Sequence, residues 1–181
     1  GEVQNSKFKV QSSTLKVSEK EVPIAQAIRL LKEGAIVAVK GLGGFHIACD
    51  ARNEDAVKRL RERKRRSNKP FALMTPDVRT AAGFCEISGE ERTLLLSARR
   101  PIVLLEKMGG VERPLPEAVS PNNRYLGLML PYTPLHYLLF HYPGAQREPG
   151  KIGELLHTAH FEALVMTSGN LSEEPIVKDN D

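Results

Sequence analysis

The stretch that decides the fold is residues 35–50, AIVAVKGLGGFHIACD. It opens with the apolar run Ala35 to Val39, which is long enough for a buried strand and too short for a helix. The glycine-rich segment Gly41 to Gly44 interrupts the run, and a second apolar segment follows from Phe45 to Cys49. We therefore predict two strands joined by a glycine-rich loop.

Helical patterns lie on both sides of this stretch. Upstream, apolar residues recur with helical spacing between Pro23 and Gly34. Pro23 suits the first turn of this predicted helix, and Gly34 suits its C-cap. Downstream, Asn53 is the predicted N-cap of a second helix. Alternating helices and strands along the chain indicate an α/β fold with a mixed sheet. The further strand candidates are Phe71 to Met74, Pro101 to Leu105, Leu126 to Leu130 and Ala163 to Thr167.

Composition bounds the class of protein. A length of 181 residues fits one domain, and 41% hydrophobic with 27% charged residues is typical of globular chains. The apolar runs are far shorter than the roughly 18 residues of a membrane span, so a membrane protein is excluded. Cys49 and Cys85 are too few for a disulfide scaffold and lack C-x-x-C spacing, which favours a reducing cytoplasm.

The ends of the chain suggest a longer parent protein. Residues 1–17 show neither helical nor strand periodicity, and we expect them to be a linker from a missing upstream region. Residues 18–181 are the predicted domain. The first residue is Gly1 rather than methionine, and the last four residues are polar. The sequence is therefore expected to be a fragment.

Positive charge is concentrated in one segment. Residues 58–69 hold eight Lys or Arg against one Glu, a local +7 in a chain whose net charge is +4. Such a run is usually a solvated helix face, and nucleic-acid contact is the next interpretation. This run extends from the end of a predicted helix to a proline that precedes a predicted strand. We therefore expect some of its cations to lie together in one pocket that suits a triphosphate.

Two further segments suit an anionic ligand. Backbone amides of the Gly41 to Gly44 loop can approach such a ligand closely, although a turn that needs positive φ explains the same glycines. The small polar residues Thr167 to Ser172 follow the last predicted strand, where they are placed to bind phosphate or ribose, or to cap a helix. His46 adjoins the glycine loop, whereas the other four histidines are expected to be structural or exposed. No histidine has metal-site spacing.

These segments, in this order, resemble the YrdC-like fold, and most closely the YrdC-like domain of HypF-type carbamoyltransferases of hydrogenase maturation. The resemblance spans about residues 22–178. The strings that carry it are residues 40–51 (KGLGGFHIACDA), 64–74 (KRRSNKPFALM), 126–136 (LGLMLPYTPLH), 167–172 (TSGNLS) and 174–177 (EPIV).

The resemblance implies a twisted mixed β-sheet with flanking helices and a concave basic site. It also implies an enzyme that joins carbamate to ATP, with Mg²⁺, giving carbamoyl adenylate and pyrophosphate. Lys64 and Arg66 would offset charge repulsion and stabilise the transition state. The residues implied to bind nucleotide or substrate are Lys40, Gly43, Gly44, His46, Lys69, Ser168, Asn170 and Ser172, and no protein metal site is implied.

Partner domains are implied as well. HypF-like chains carry acylphosphatase-like and zinc-finger domains upstream and an ATPase-like domain downstream, which passes the carbamoyl group to HypE. This fragment is therefore not expected to complete the transfer alone.

Two alternatives stay open. Sister enzymes of the fold make threonylcarbamoyl adenylate for tRNA modification, but they carry Pro-Thr-Asp-Thr-x-Tyr where this chain has residues 40–45. Glycine replaces both threonines here, which disfavours threonine as substrate. Met129 also stands at an arginine position of those sisters. The other alternative is a non-catalytic module that binds double-stranded RNA through the basic segment.

If the basic segment, the Gly41 to Gly44 loop and residues Thr167 to Ser172 form one nucleotide pocket, called here the shared pocket, their positions can be predicted. Lys64 and Arg66 should point into the site, while Arg59, Arg63 and Arg65 face water. Six groups are expected to surround one triphosphate and to lie within about 10 Å of each other. They are Lys64, Arg66, Gly43, Gly44, Ser168 and Asn170.

Overall fold

A mixed sheet of seven strands forms the centre of the protein in the computed structural model, which describes residues 9–10, 22–41, 44–143 and 159–169. The strands are β1 (Lys9–Val10), β2 (Val37–Gly41), β3 (Gly44–Asp50), β4 (Ala72–Met74), β5 (Val103–Glu106), β6 (Tyr125–Met129) and β7 (Leu164–Ser168). The α-helices are α1 (Pro23–Lys32), α2 (Glu54–Arg63), α3 (Val78–Ala81), α4 (Gly89–Leu96) and α5 (Pro134–His141), and a short 3-10 helix spans Glu117–Val119. The prediction of an α/β fold with a mixed sheet and flanking helices is confirmed.

The glycine-rich segment forms a hairpin that is tighter than predicted. β2 and β3 pair antiparallel, and Gly41 lies opposite Gly44. Gly44 has φ +134°, a backbone conformation that residues other than glycine rarely adopt. The predicted loop of four residues is thus corrected to a connection through residues 42 and 43, which lie outside the described residues.

Local capping rules set the helices that flank this hairpin. Gly34 follows α1 with φ +82, and its N–H and that of Ala35 bond to carbonyls of the last turn, which is a Schellman motif. Asn53 caps α2 as predicted, since its Oδ1 accepts a bond of 2.9 Å from the N–H of Ala56.

The strand order β1-β2-β3-β7-β4-β6-β5 decides which loops meet. β7 runs antiparallel to both of its neighbours, β3 and β4. Because of that direction, the carboxyl end of β7 lies beside the start of β3 and the start of β4. Gly41 and Gly44 of the β2–β3 pair, the residues that precede β4, and Gly169 therefore lie at the same end of the sheet.

Both faces of the sheet are covered. One hydrophobic cluster packs α2, α3 and α4 against the sheet and includes Leu60, Phe71 and Val165. The other packs α1 and α5 against the opposite face and includes Leu31 and Phe140. Alternation along β3 and β7 places His46 and Ser168 on the α1 and α5 side, because side chains of successive strand residues point to opposite faces.

The chain before α1 also contributes to the sheet. Lys9 and Val10, within the predicted linker, pair antiparallel with β2 as edge strand β1. The domain boundary after residue 17 stays a prediction. None of the helices in the described segments is long and apolar enough to cross a bilayer.

Candidate functional site

Lys64 lies at the centre of the candidate site. It is the C-cap residue of α2, and its side chain is buried, with only 6% of the residue exposed. Its Nζ donates a hydrogen bond of 2.8 Å to the backbone carbonyl of Ser168, the last residue of β7. Lys64 and the end of β7 are therefore in direct contact, as the shared-pocket prediction requires of these two residues.

The environment of Lys64 disfavours its charge. Burial, and then the positive charge of Arg66, lower the pKa of the Lys64 ammonium from its ordinary value. A bound anion would relieve both effects, because it would replace lost solvation and screen the arginine. The surroundings of Lys64 are thus electrostatically suited to an anionic ligand.

Arg66 points into the fold, but much of its bonding is with its own loop. Its Nε donates to the carbonyl of Lys69 at 2.9 Å, and its Nη2 donates to the carbonyl of Pro70 at 2.6 Å. The guanidinium also lies over the ring of Phe71, 4.9 Å from the ring centre. These two bonds use two of the five N–H donors of the guanidinium. Arg66 therefore shapes the loop that follows α2, and its role in charge stabilisation stays a prediction.

Arg61 is a structural residue that the sequence prediction missed. Its Nη1 donates to the carbonyls of Arg66, Ser67 and Lys69, at 3.0 to 3.2 Å. Its Nε and Nη2 donate to the carbonyl of Ala118 in the 3-10 helix, at 2.9 and 2.6 Å. Since these acceptors are backbone atoms, nothing in their side chains signals the contact. Arg61 ties the basic loop to the 3-10 helix.

The remaining cations of the basic segment face outward. As predicted, Arg59, Arg63 and Arg65 are exposed, and Lys69 is exposed as well. Arg59 also donates a bond of 2.6 Å to the carbonyl of Gly34, which ties α2 to the turn after α1. The basic segment thus divides into an inward set, Arg61, Lys64 and Arg66, and an outward set.

The chain leaves β7 through a close backbone contact. The N–H of Gly169 donates a bond of 2.7 Å to the carbonyl of Phe45. A Cβ on Gly169 would lie 3.1 Å from both the Cβ and the carbonyl oxygen of Phe45, so glycine suits this position because of crowding. Ser168 itself is exposed. The predicted binding residues Gly43, Asn170 and Ser172 lie outside the described residues.

Lys40 and His46 project from the hairpin next to this contact. Lys40 is exposed, and its Nζ lies 5.5 Å from the ring centre of Phe45. His46 is directly opposite Ser168 in the pairing of β3 with β7. Gly44, also predicted to bind, is buried at the start of β3. Every predicted binding residue within the described segments is therefore on the hairpin, on the basic loop or at the end of β7.

A histidine pair adjoins this end of the sheet and was not predicted. The ring of His46 stacks on the ring of His136, with centroids 6.1 Å apart and planes inclined by 13°. His136, which was expected to be structural or exposed, lies in the first turn of α5 and is fully buried, as a structural residue would be. Burial, and then His46, lower the pKa of His136 to about 4, so it is neutral near pH 7.

The described residues hold no group of three or more His, Cys, Asp or Glu side chains that could bind a metal ion. A small open cavity of about 110 Å³ does occur near the 3-10 helix, with Phe84, Lys107 and Leu126 in its lining. None of its lining residues belongs to the candidate site. Within the described residues, the candidate site offers cations, backbone groups, the Ser168 hydroxyl and two imidazoles.

The chain is similar to proteins of one known family. Residues 29–181 match the Sua5/YciO/YrdC family model, which carries the description "Telomere recombination". The chain is 51% identical over 159 residues to carbamoyltransferase HypF2 of Cupriavidus necator and 46% identical over 158 residues to carbamoyltransferase HypF of Rhodobacter capsulatus. These matches cover 88% and 87% of this chain, but 19% and 18% of the relatives. The chain thus spans about a fifth of their length.

Solved structures show the same fold. Full-length HypF in its phosphate- and nucleotide-bound form matches with a TM-score of 0.75 and 42% identity, over 96% of this chain and 20% of that one. HypF of T. kodakarensis matches with a TM-score of 0.74 and 39% identity, over 95% and 20%. Sua5 of P. abyssi, complexed with L-threonine, matches with a TM-score of 0.61 at 21% identity, over 84% and 40%, and this shows the fold alone.

Proposed function

The chain belongs to the Sua5/YciO/YrdC family, and we propose that it is the carbamoyl-adenylate-forming domain of a HypF-type carbamoyltransferase. In the proposed reaction, an oxygen of carbamate attacks the α-phosphorus of ATP. The bond from that phosphorus to the oxygen bridging to the β-phosphate breaks. The products are carbamoyl adenylate and pyrophosphate, and no oxidant or reductant is needed.

The observation that supports this proposal most is the contact of Lys64 with the carbonyl of Ser168. It puts a buried cation at the end of β7, where the exposed Ser168 and the β2–β3 hairpin also lie. An anionic nucleophile must approach an anionic phosphate, and a fixed cation lowers that repulsion without reorganising during the reaction. The proposed role of Lys64 is to neutralise charge as it develops on the α-phosphate.

The other groups near Lys64 are proposed to bind the nucleotide or the substrate. Arg66 is proposed to stabilise the phosphates together with Lys64, from the loop that Arg61 holds in place. The groups proposed to contact nucleotide or substrate are Lys40, Gly43, Gly44, His46, Lys69, Ser168, Asn170 and Ser172. Neutral donors such as the Ser168 hydroxyl suit phosphate or ribose oxygens when a cation lies nearby.

Mg²⁺ is proposed to reach the site bound to the phosphates of ATP. The described residues offer it no cluster of metal-binding side chains, and a nucleotide-bound Mg²⁺ commonly needs few protein ligands. When bound, it would supply further charge neutralisation on the phosphates.

Partners beyond this chain are proposals that rest on the similarity to HypF. The upstream acylphosphatase-like and zinc-finger domains, the downstream ATPase-like domain and HypE as final acceptor belong to this set. The location is proposed to be the cytoplasm. The chain covers about a fifth of the curated HypF relatives, which leaves room for such domains in proteins of that length.

The two alternatives fit the site less well. The inward orientation of Arg61, Lys64 and Arg66 removes three cations from the surface that double-stranded RNA would contact. Gly41 and Gly43, which stand where the sister enzymes have threonines, carry no side chains that could hydrogen-bond the hydroxyl or carboxylate of threonine. Adenylation of carbamate is therefore the function proposed here.

Calorimetric titration with ATP and Mg²⁺, with and without carbamoyl phosphate or bicarbonate, tests this proposal. We expect saturable binding with one ATP per chain, retained when the salt concentration is raised, because a pocketed nucleotide is less screened than an exposed one. Binding of double-stranded RNA that exceeds ATP binding and falls steeply with salt would contradict the proposal and favour the RNA-binding module.

A further inference from the structure

Two buried imidazole nitrogens lack hydrogen-bond partners near the candidate site. They are Nδ1 of His46 and Nε2 of His136, which have no partner within the part of the chain that the structure describes. Buried polar atoms in folded proteins are nearly always paired, so each such atom requires an explanation. The two rings stack on each other, so both atoms belong to one cluster.

The other nitrogen of His136 indicates which proton it carries. Its Nδ1 lies 3.5 Å from the backbone N–H of Tyr132, which donates to it, and the Tyr132 ring packs against the imidazole edge-on. A neutral imidazole that accepts at Nδ1 carries its hydrogen on Nε2. The unpaired Nε2 of His136 is therefore a hydrogen-bond donor.

Gly41 keeps a side chain away from His46. A Cβ built on Gly41 would lie 3.6 Å from Cε1 and 3.8 Å from Nδ1 of His46, and 3.5 Å from the carbonyl oxygen of Gly44. These are ordinary contact distances, so a side chain at residue 41 would occupy the space next to the unpaired Nδ1. Glycine therefore leaves no side chain of residue 41 to compete for contact with Nδ1.

This space adjoins the proposed reaction centre. His46 lies opposite Ser168 in the sheet, and directly opposed residues of antiparallel strands have Cβ atoms about 5 Å apart. The carbonyl of the same Ser168 accepts the bond from Lys64. A small molecule held by His46 would therefore lie next to the residue that Lys64 contacts.

We propose that His46 and His136 form the subsite that holds the carbamate, with no side chain at Gly41 competing for the same position. Nε2–H of His136 donates to a carbamate oxygen, and Nδ1 of His46 accepts from the carbamate NH2 group. Both imidazoles are neutral, so they orient the substrate, while Lys64 supplies the charge. This inference rests on the proposed function and deepens it, since it names the residues that select the small substrate.

Matched variants of His46 test the inference. An Asn side chain places a polar atom near the position of Nδ1, whereas Phe fills the space of the ring without any polar atom. We expect H46F to raise the KM for carbamate at least about tenfold, with the KM for ATP changed less than about twofold, because one polar group of the ligand loses its partner. H46N should restore the KM for carbamate to within about threefold of the parent chain, since its amide can pair with the same group.

Three results would overturn the subsite while leaving the adenylation proposal intact. One is an unchanged KM for carbamate in H46F. Another is an equal rise in both KM values, and the third is an equal loss in H46F and H46N, which would show that His46 is only structural.

A second measurement separates failure of the subsite from failure of the proposed function. In ¹⁵N NMR of the histidine-labelled chain, addition of ammonium carbamate with AMP should shift the resonances of His46 Nδ1 and His136 Nε2, and bicarbonate serves as the comparison arm. If the chain releases no pyrophosphate but these nitrogens shift, the subsite stands and the adenylation proposal fails. If neither addition shifts them, the subsite is wrong whatever the enzyme activity.

Discussion

The ammonium of Lys64 donates a hydrogen bond of 2.8 Å to the backbone carbonyl of Ser168, joining residues that are 104 positions apart in the sequence. The bond fixes the carboxyl end of α2 to the carboxyl end of β7. It explains why Lys64 is buried although most of the basic segment around it is exposed. The same bond places a cation at the end of β7, shortly before Asn170 and Ser172 in the sequence, which are predicted to bind the nucleotide.

The inward and outward cations should differ in their effect on nucleotide binding. Lys64→Ala or Arg66→Ala is expected to weaken ATP binding by about 1.5 to 3 kcal/mol, the usual range for hydrogen bonds to charged groups. Arg65→Ala is the matched control, because Arg65 is adjacent in sequence but exposed, and it should change the affinity little. Calorimetry on folded variants measures all three. Equal losses at the three positions would favour a diffuse basic surface over a pocket.

Gly169 should be intolerant of a side chain. Gly169→Ala would place a Cβ 3.1 Å from the backbone oxygen of Phe45, so the end of β7 must move or the hairpin must yield. We expect a loss of about 1 to 3 kcal/mol in the free energy of unfolding, as for other overpacked sites.

Gly89→Ala is the control for that substitution, since a Cβ there would meet nothing within 4 Å and the residue opens α4. Urea unfolding should show this control to be neutral or slightly stabilising. The crowding argument would be wrong if both alanine variants unfolded at the same urea concentration.

Arg61 should contribute mainly to stability. Arg61→Ala removes the donors that serve the carbonyls of the basic loop and of Ala118, and we expect a loss of about 2 to 4 kcal/mol in unfolding free energy. Arg63→Ala, two positions away and exposed, should change it by less than about 0.5 kcal/mol. Chemical denaturation compares the two variants. Equal free energies of unfolding in the two variants would show that the Arg61 hydrogen bonds do not stabilise the fold.

Stability should fall as the solution becomes acidic, in part because of His136. Its pKa is about 4 in the folded protein, against an ordinary value of 6.5, so between these two values the unfolded chain binds the proton and the folded chain does not. The free energy of unfolding should therefore drop by about 2 kcal/mol from this residue between about pH 7 and pH 5, and stay constant above about pH 7.5.

His136→Asn removes this proton linkage, and the difference between the two pH profiles isolates it. Denaturation midpoints at several pH values measure both. Parallel profiles for the parent chain and the variant would show that His136 titrates normally in the folded state.

Local rules made much of the fold predictable from sequence. The caps at Asn53 and Gly34 depend only on neighbouring residues, and the structure has both as predicted. The structure also has a capping box between Ser88 and Glu91, which depends on equally local contacts. The apolar runs located the strands to within a residue or two at most ends. The hairpin was less well predicted, because apolar patterning does not show that Gly41 and Gly44 pair with each other inside the sheet.

The site was only partly predictable, for a physical reason. Lys64 and Ser168 were placed together because both follow elements whose ends meet in an α/β sheet. The role of Arg61 was missed because its partners are backbone carbonyls, which every residue carries. The stacking of His46 on His136 was missed because it joins residues 90 positions apart on elements whose crossing no local pattern encodes.

The central claim is that this chain adenylates carbamate, and the most direct measurement is the identity of the adenylate it forms. The chain is incubated with ATP, Mg²⁺, a carbamate source and L-threonine together, and the products are identified by mass spectrometry. The account predicts pyrophosphate and carbamoyl adenylate in the parent chain, strong loss of both in Lys64→Ala and retention in Arg65→Ala. Formation of threonylcarbamoyl adenylate above a control without enzyme, or release of pyrophosphate that does not depend on carbamate, would contradict it.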